Sequence, residues 1–313
     1  MVKRCWVISD GSAGMVNQAW GLAETLGYEV ELKKICLRQP WETLTPYLTM
    51  GLSYCLAKDS DPLLPPYPDL ILASGRRAIP PALYIKQEAI GQQCKVVYLQ
   101  DPRINPSHFD AVICPQHDGL SGKNVIQTIG ATHRITSEKL AQAKANFRHL
   151  NPRNQSVLSV IIGGSTKKYT MDMDFAERLS TDLMPLADKG WRVLVTLSRR
   201  TPALVAERIR SLPSSIYVWD GKGDNPYFGL LGLADAILVT CDSVSMISEV
   251  CVTSVPVYLY PLPKIYWKHQ HYHQSLIEMN RVRWWTGTVE PYPFTPLNVN
   301  QDTAEKLKAL LSI

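Results

Sequence analysis

The segment from Leu238 to Glu249 carries side chains that could bind a phosphorylated ligand. An apolar stretch ends at Thr240, a short polar turn follows, and a helix is predicted to begin near Ser243. A helix N-terminus presents unpaired N–H groups and a positive dipole end to an anion. Glu249 lies four residues beyond Ser245, on the same helix face. We expect a phosphate at the two serines and a ribose at Glu249. The alternative is a serine-capped helix with a solvated glutamate.

Two further loops in this half of the chain follow predicted strands and carry groups that suit phosphate. They contribute glycine amides, a hydroxyl, an ammonium group and two guanidinium groups: Gly163, Gly164, Ser165, Lys167, Arg199 and Arg200. Such donors match phosphate oxygens, although neither loop has the spacing of a P-loop. Because the carboxyl ends of parallel strands meet at one edge, all three loops would line the same edge. Paired arginines are also common on a solvated surface.

The stretch from Lys268 to Gln274 is rich in histidine and glutamine. On a helix His269 and His273 share a face, a spacing that can bind zinc. The glutamate of an HExxH motif is absent, and no nearby Cys or Asp completes a ligand set. We therefore expect no metal here. The polar side chains would recognise sugar hydroxyls, or they form a solvated helix start.

In the first half, glycines and acid–base side chains also follow predicted strands. Gly11 and Gly14 could let a ligand approach the backbone, but their spacing does not fit a dinucleotide fingerprint. Asp101 and the pair His117 and Asp118 are the best candidates for a general base. Structural caps are an equally good explanation for any one of them.

Alternating apolar strands and helical stretches predict an α/β fold with parallel sheets. The predicted strands are Cys5–Ser9, Glu29–Lys33, Leu70–Ala73, Val96–Leu99, Ala111–Cys114, Val125–Thr128, Val157–Ile162, Arg192–Thr196, Ile216–Trp219, Ala236–Thr240 and Val257–Tyr260. The polar segment Ala141–Asn154 is interpreted as a linker. We thus expect two Rossmann-like domains, residues 1–150 and 151–313, facing across a cleft, with the C-terminal helix packing back on the first.

Composition limits the class of protein and its partners. The chain has 313 residues and a net charge of +5 without a block of basic residues, which argues against nucleic acid as a partner. Seven scattered cysteines without a CxxC motif indicate reduced thiols. The first apolar run is too short for a signal peptide, and no run is long enough to span a membrane. We expect a cytoplasmic protein, with peripheral contact at the inner face of the membrane left open.

One apolar stretch allows two interpretations. Trp41, Leu44, Leu48 and Leu52 recur at helical spacing, as in a helix that packs against a core. The same residues could form an exposed patch that dips into an anionic membrane interface.

The second half resembles the donor domain of GT-B glycosyltransferases. The block from Phe228 to Pro261 is similar to that of the transferase that adds N-acetylglucosamine to the lipid-linked peptidoglycan precursor, and to lipid A disaccharide synthase. The resemblance implies a nucleotide-diphosphate sugar as substrate, with Glu249 on the ribose and both serines on the pyrophosphate. It places Gln270 or Gln274 on the sugar.

Across nearly the whole chain, motifs resemble the "elongated mitochondria" fission-protein family. They are Asp-Gly-Ser-Ala-Gly-Met from Asp10, Ser-Gly-Arg-Arg from Ser74, Gln-Asp-Pro-Arg from Gln100, Pro-Gln-His-Asp-Gly from Pro115, Gly-Gly-Ser-Thr-Lys from Gly163 and Ser-Arg-Arg-Thr-Pro from Ser198. The pattern departs from the peptidoglycan enzyme at Met15, which stands in place of a catalytic His, and at Asp242, which is unfavourable beside phosphate unless it caps the helix.

Together the residues and resemblances predict a glycosyltransferase that needs no metal or other cofactor and acts on a cell-envelope or lipid-linked acceptor. The alternatives are a nucleotide-sugar epimerase on the same fold and a non-catalytic scaffold of the fission type. The thirteen residues given above for nucleotide-sugar binding and the three base candidates form the predicted site.

Overall fold

The computed structural model describes residues 2–90, 92–166, 169–263 and 267–313. The chain forms two compact units, Met1–Arg134 together with Asn298–Ile313, and Ile135–Leu297. The strands are β1 Arg4–Ser9, β2 Glu29–Lys34, β3 Leu70–Ser74, β4 Lys95–Leu99, β5 Ala111–Pro115, β6 Val125–Thr128, β7 Val157–Ile162, β8 Arg192–Leu197, β9 Ile216–Val218, β10 Ala236–Thr240, β11 Val257–Tyr260 and β12 Arg283–Trp284. The helices are α1 Ala13–Leu26, α2 Trp41–Leu44, α3 Ile79–Glu88, α4 Ser137–Asn146, α5 Met173–Asp188, α6 Ala203–Arg210, α7 Tyr227–Leu233, α8 Val244–Cys251, α9 Trp267–Glu278 and α10 Val299–Leu311.

Each unit is built around one six-stranded parallel sheet. The order is β2-β1-β3-β4-β5-β6 in the first unit and β12-β11-β10-β7-β8-β9 in the second. The central strands are mostly apolar and are buried along their whole length, as expected where helices cover both faces. The predicted α/β class with two Rossmann-like units is therefore confirmed. The short exposed strand β12 has no such apolar run and was not predicted.

The C-terminal helix α10 belongs to the first unit, where Ala304 and Leu307 join the core formed with α1. Asn300 ties the helix in place, because its side chain accepts from the His133 N–H at 2.9 Å and donates to the His133 carbonyl oxygen at 2.6 Å. A Cβ on Gly21 of α1 would lie 1.9 Å from that carbonyl oxygen. The close approach explains a glycine in the middle of a helix, where it otherwise costs about 1 kcal/mol.

The segment interpreted as a linker is part of the second unit. Its first half lies in α4, which packs on α7, and the units divide after Arg134 and not after residue 150. A Cβ on Gly229 would lie 2.5 Å from the ring of Phe147, and one on Gly232 would lie 2.5 Å from the Leu140 carbonyl oxygen. Two glycines on α7 thus let the polar helix α4 pack closely against it. The polar composition of α4 gave no sign of this packing.

The stretch from Trp41 to Leu52 is not one continuous helix. Helix α2 ends at Leu44, and Thr45 is extended, as the residue before a proline prefers. The chain turns again at Gly51, which has φ +60°, before a short 3-10 turn. Leu52 is buried in the core while Leu44 is half exposed, so the predicted stripe is divided between two environments.

In the part of the chain that the structure describes, no helix is long and apolar enough to cross a bilayer. All seven cysteines are free thiols, and six of them are buried.

Candidate functional site

Three loops predicted to hold anions lie side by side in the second unit. They follow β7, β8 and β10, which are neighbours in the order β10-β7-β8, and all three strands are parallel. Their carboxyl ends therefore share one edge of the sheet. The loop after β7 carries Gly163, the loop after β8 carries Arg199, and the turn after β10 leads into α8 at Ser243.

Asp242 organises this edge. Its buried carboxylate accepts hydrogen bonds from the Gly164 N–H at 3.1 Å, the Thr240 hydroxyl at 2.7 Å and the Arg200 guanidinium at 3.1 Å. The Gly163 N–H donates to the Thr240 Oγ1 at 2.8 Å. The amides of both glycines are thus bound within the protein, and Arg200 balances the charge of Asp242.

The two glycines permit close approach of backbone and side chain. A Cβ on Gly163 would lie 2.2 Å from the Asp242 carboxylate oxygens, and one on Gly164 would lie 2.2 Å from the Arg200 carbonyl. Ser165 is also engaged, because its Oγ accepts from the Met171 N–H at 3.0 Å. These glycine amides do not offer hydrogen bonds to a phosphate, contrary to the prediction. Lys167, the charged residue of this loop, lies outside the described residues.

Ser243, and not Asp242, caps α8. Its Oγ accepts from the Met246 N–H at 3.4 Å, and its extended backbone is that of an N-cap residue. Ser245 lies in the first helical turn. The helix start therefore remains an anion-attracting group at this edge, and Arg200 offsets the unfavourable carboxylate of Asp242 beside it.

A cavity of about 330 Å³ lies at the same edge, next to Arg199. Its walls come from β7, β8 and the loop after it, the segment after β9, α7 and α8: Ile161, Ile162, Thr196, Leu197, Ser198, Arg199, Trp219, Asn225, Tyr227 and Met246. Both Arg199 and Arg200 were predicted to bind phosphate, but the structure gives them different positions. Arg199 lines the cavity, while Arg200 pairs with Asp242.

Glu249 lies one helical turn beyond Met246, beside this cavity. Its Oε2 accepts a hydrogen bond of 2.5 Å from the hydroxyl of Tyr227, whose side chain lines the cavity. Burial raises the pKa of Glu249 to about 7, and the hydrogen bond from Tyr227 acts in the opposite direction. The carboxyl group therefore titrates near neutral pH, which is unusual for a glutamate.

The predicted sugar-binding glutamines lie on the exposed face of α9. Gln270 is exposed, and Gln274 donates to Glu278 within the helix at 3.0 Å. The buried face of α9 is tied to α8 by a hydrogen bond of 2.8 Å between the hydroxyls of Tyr272 and Ser248. Neither glutamine lines the cavity beside Arg199.

The histidines of α9 do not form a metal cluster. The rings of His269 and His273 are 6.4 Å apart, and His273 is buried. Within the residues that the structure describes, no group of three or more His, Cys, Asp or Glu side chains could hold a metal ion.

In the first unit, the three base candidates share one sheet edge. Asp101 follows β4, and His117 and Asp118 follow the adjacent strand β5. The Asp101 Oδ1 accepts from the Arg103 N–H at 2.8 Å, a local turn that accompanies the positive φ of Arg103. The structure thus brings the candidates to one edge but also gives Asp101 a local structural contact.

The glycine loop after β1 lies at the same edge. Gly11 has φ +85° and is exposed, and Gly14 lies in the first turn of α1 with space around it. Met15, the next residue, contacts two neighbouring strand ends. Its sulfur accepts from the Gln100 side chain at 2.9 Å and from the Ser74 hydroxyl at 3.4 Å. A thioether cannot take a proton from an acceptor, so Met15 cannot replace the missing histidine as a base.

Several cavity residues were missed by sequence reasoning. Trp219, Asn225 and Tyr227 lie on the segment that follows β9, and Met246 lies on α8. The signal that could have identified them is the position of this segment in the sequence. This Gly- and Asp-rich segment follows a predicted strand of the same sheet, as the anion loops do.

Comparison with solved structures supports the assignment of the fold. UDP-GlcNAc 2-epimerase of Methanocaldococcus jannaschii is 10% identical, covers 100% of this chain and 99% of its own, and superposes with a TM-score of 0.58. That enzyme is also known in complex with UDP-GlcNAc and UDP, with a TM-score of 0.52. The glycotransferase of kitacinnamycin is 13% identical over 99% of this chain and 90% of its own, with a TM-score of 0.53. At these identities the likeness establishes the GT-B-type fold alone.

Sequence comparison gives the family. A protein of Rickettsia prowazekii, RP120, is 28% identical over 98% of both chains. Mitochondrial fission protein ELM1 of Arabidopsis thaliana is 31% identical over 78% of this chain and 64% of the plant protein. The family profile described as Mitochondrial fission ELM1 matches residues 13–311. The chain therefore belongs to the mitochondrial fission ELM1 family.

Proposed function

We propose that the second unit binds the nucleoside diphosphate part of a nucleotide sugar at the edge formed by β10, β7 and β8. The observation that carries the proposal is the cavity of about 330 Å³ with Arg199 in its wall and Glu249 beside it. An apolar cavity with a few polar groups is the usual form of a small-ligand site. UDP-sugar complexes of proteins with this fold support the same ligand class.

Each part of the ligand has a matching group. The nucleobase would lie in the cavity against Trp219, Tyr227 and Met246, whose side chains provide aromatic and thioether surface. Ribose hydroxyls would donate to the Glu249 carboxylate. The diphosphate would accept from the Arg199 guanidinium and from the N-terminus of α8, where Ser243 and Ser245 lie.

The proposed reaction is transfer of the sugar to an acceptor without a metal. As the bond to the sugar breaks, negative charge develops on the departing diphosphate. Arg199 and the dipole of α8 would offset that charge, which is the electrostatic part of catalysis. Asp101, His117 or Asp118 of the first unit would take the proton from the acceptor hydroxyl. Lys167 and the glutamines Gln270 and Gln274 are proposed as further ligand contacts.

We further propose that the acceptor is met at an anionic membrane surface. The segment 38–54 of the first unit exposes Leu44, Tyr47 and Tyr54, which are 50%, 72% and 64% exposed. The Arg38 guanidinium lies 5.6 Å from the Tyr54 ring centroid, so a positive charge accompanies the apolar side chains. Aromatic and apolar residues beside a basic residue are typical of surfaces that bind an anionic membrane interface.

A ligand screen followed by product analysis tests the function. Thermal melting of the protein with UDP, GDP, dTDP and their sugars identifies the nucleotide, because a ligand that binds the folded state raises the Tm. Incubation with the matching nucleotide sugar should release nucleoside diphosphate only when an acceptor is added. Formation of an epimeric nucleotide sugar without an acceptor would replace transfer by epimerisation. No nucleotide-dependent rise in Tm would contradict the proposal.

A further inference from the structure

We propose that Tyr227 is a positioning residue: its hydroxyl holds the Glu249 carboxylate beside the cavity, and nucleotide binding depends on that contact. The inference rests on the proposed function, because it concerns how the ribose ligand is presented. It adds to the site a residue from a different helix.

The geometry places Tyr227 in the cavity wall and Glu249 in hydrogen-bond contact with it. Tyr227 is the first residue of α7, and its backbone N–H donates to the Asn225 Oδ1 at 3.0 Å. Its side chain lines the cavity together with Met246, which lies on α8 three residues before Glu249. Residues three apart share a helix face, so Glu249 lies on the same side of α8 as Met246, next to the cavity wall. The hydroxyl of Tyr227 then fixes where the carboxylate lies.

The contact leaves capacity for a ligand. A carboxylate offers about four acceptor positions on its two oxygens. Tyr227 engages Oε2, so Oε1 can accept the ribose hydroxyls without displacing the tyrosine. A carboxylate held by one donor loses less side-chain freedom when the ligand binds, which favours binding.

The same contact controls the charge of Glu249. Burial favours the neutral acid, whereas the hydrogen bond from Tyr227 favours the carboxylate and lowers the pKa. The pKa of Tyr227 itself is raised by burial and by the nearby Glu249, so the phenol stays a donor through neutral pH. Removing the hydroxyl should therefore raise the pKa of Glu249 above about 7 and reduce the charged form available to ribose.

Other polar groups around α8 and the cavity have separate partners or positions. Tyr272 of α9 is bonded to Ser248, and the Arg281 guanidinium donates to the carbonyl oxygens of Val250 and Cys251 at the end of α8. Arg199 lines the cavity from the loop after β8. Tyr227 is the titratable group in direct hydrogen bond with Glu249, so its removal should have the largest effect.

Calorimetric titration of UDP into the full chain between pH 5.5 and 8.5 tests the inference. In the wild type, affinity should rise through pH 7, by about tenfold between pH 6 and 8 if only the carboxylate binds. Glu249→Gln should lack this step, so that any remaining pH dependence belongs to the phosphate of UDP. Tyr227→Phe should bind UDP several-fold more weakly at pH 7. The midpoint of the rise of its affinity with pH should move to higher pH. Tyr217→Phe, outside the cavity, is the matched control and should behave as the wild type.

The outcomes distinguish the two proposals. Absence of binding of UDP, GDP and dTDP by the wild type would overturn the proposed function and the inference with it. Normal binding by the wild type with an unchanged midpoint in Tyr227→Phe would overturn the inference alone. Tighter binding by that variant would also overturn it, because the tyrosine would then compete with the ribose. If the variant does not fold, 3-fluorotyrosine at position 227 makes a stronger donor and should lower the midpoint. An unchanged midpoint in the 3-fluorotyrosine protein would refute a role of the Tyr227–Glu249 hydrogen bond in nucleotide binding.

Discussion

The two glycine loops look alike in the sequence, but the structure predicts opposite responses to alanine. A Cβ on Gly164 would lie 2.2 Å from the carbonyl carbon and oxygen of Arg200 and 2.6 Å from the Thr201 nitrogen. All of these are backbone atoms, which cannot turn aside as a side chain can. A Cβ on Gly14 meets no atom within 4 Å. Gly164→Ala and Gly14→Ala are therefore a matched pair of variants.

The structure gives the size of the two effects. To admit a Cβ, the loop after β7 must move away from residues 198–201, which strains or breaks the hydrogen bonds Ser165 N–H to Arg200 O and Thr201 Oγ1 to Gly163 O. Each is worth about 1 kcal/mol, and overpacking costs about 1–3 kcal/mol more. Gly164→Ala should thus lose about 3–5 kcal/mol. In α1, Gly14→Ala should gain about 0.5–1 kcal/mol, because alanine is the better helix former.

Thermal denaturation measures both variants. At about 2–4 °C per kcal/mol for a unit of this size, Gly164→Ala should lower the Tm of the second unit by about 6–20 °C. Gly14→Ala should leave the Tm unchanged or raise it by a few degrees. A Gly164→Ala protein as stable as the wild type would refute the packing argument. A large loss in Gly14→Ala would show that this loop is as tightly built as the other.

Three further predictions follow from charge and exposure. The pKa of Glu249 is about 7 in the folded protein and 4.5 ordinarily. Its contribution to the free energy of unfolding is therefore largest at low pH and falls as the pH rises between these two values. Glu249→Gln should accordingly melt higher than the wild type at pH 8 and equally at pH 4. Arg199→Ala should weaken UDP binding and its salt dependence with little change in Tm, whereas Arg200→Ala should lower the Tm by leaving a buried carboxylate unpaired. Leu44→Glu should leave the Tm nearly unchanged and abolish co-sedimentation with anionic vesicles, because Leu44 is half exposed. Leu52→Glu should prevent stable folding, because it would bury a charge in the core. Vesicle binding retained in Leu44→Glu would reject the membrane patch.

The sheets were predictable from the sequence because each central strand is a short apolar run between polar turns. Val157–Ile162 and Ala236–Thr240 agree with the predicted limits, since full burial on both faces requires such runs. Segments with mixed composition were misinterpreted. The polar helix α4 packs through glycines on its partner, and the apolar stretch after Trp41 is broken by a proline and a left-handed glycine.

The site could be predicted only to the level of loops. Strand order placed the loops at Gly163, Arg199 and Ser243 on one edge, as expected for parallel strands. Which groups in those loops face a ligand depends on tertiary hydrogen bonds that spacing does not encode. Asp242 takes up the Gly164 amide and Arg200, so two of the expected phosphate donors serve the protein itself.

The central claim is that the second unit binds a nucleoside diphosphate with Glu249 on the ribose. Calorimetric titration of UDP into the wild type and into Glu249→Ala at pH 8 tests it most directly. We predict saturable binding by the wild type and a loss of about 1–3 kcal/mol, or roughly 5- to 150-fold in Kd, in the variant, as for hydrogen bonds to a charged group. Equal affinity in a folded variant, or no binding of UDP, GDP or dTDP by the wild type, would contradict the account.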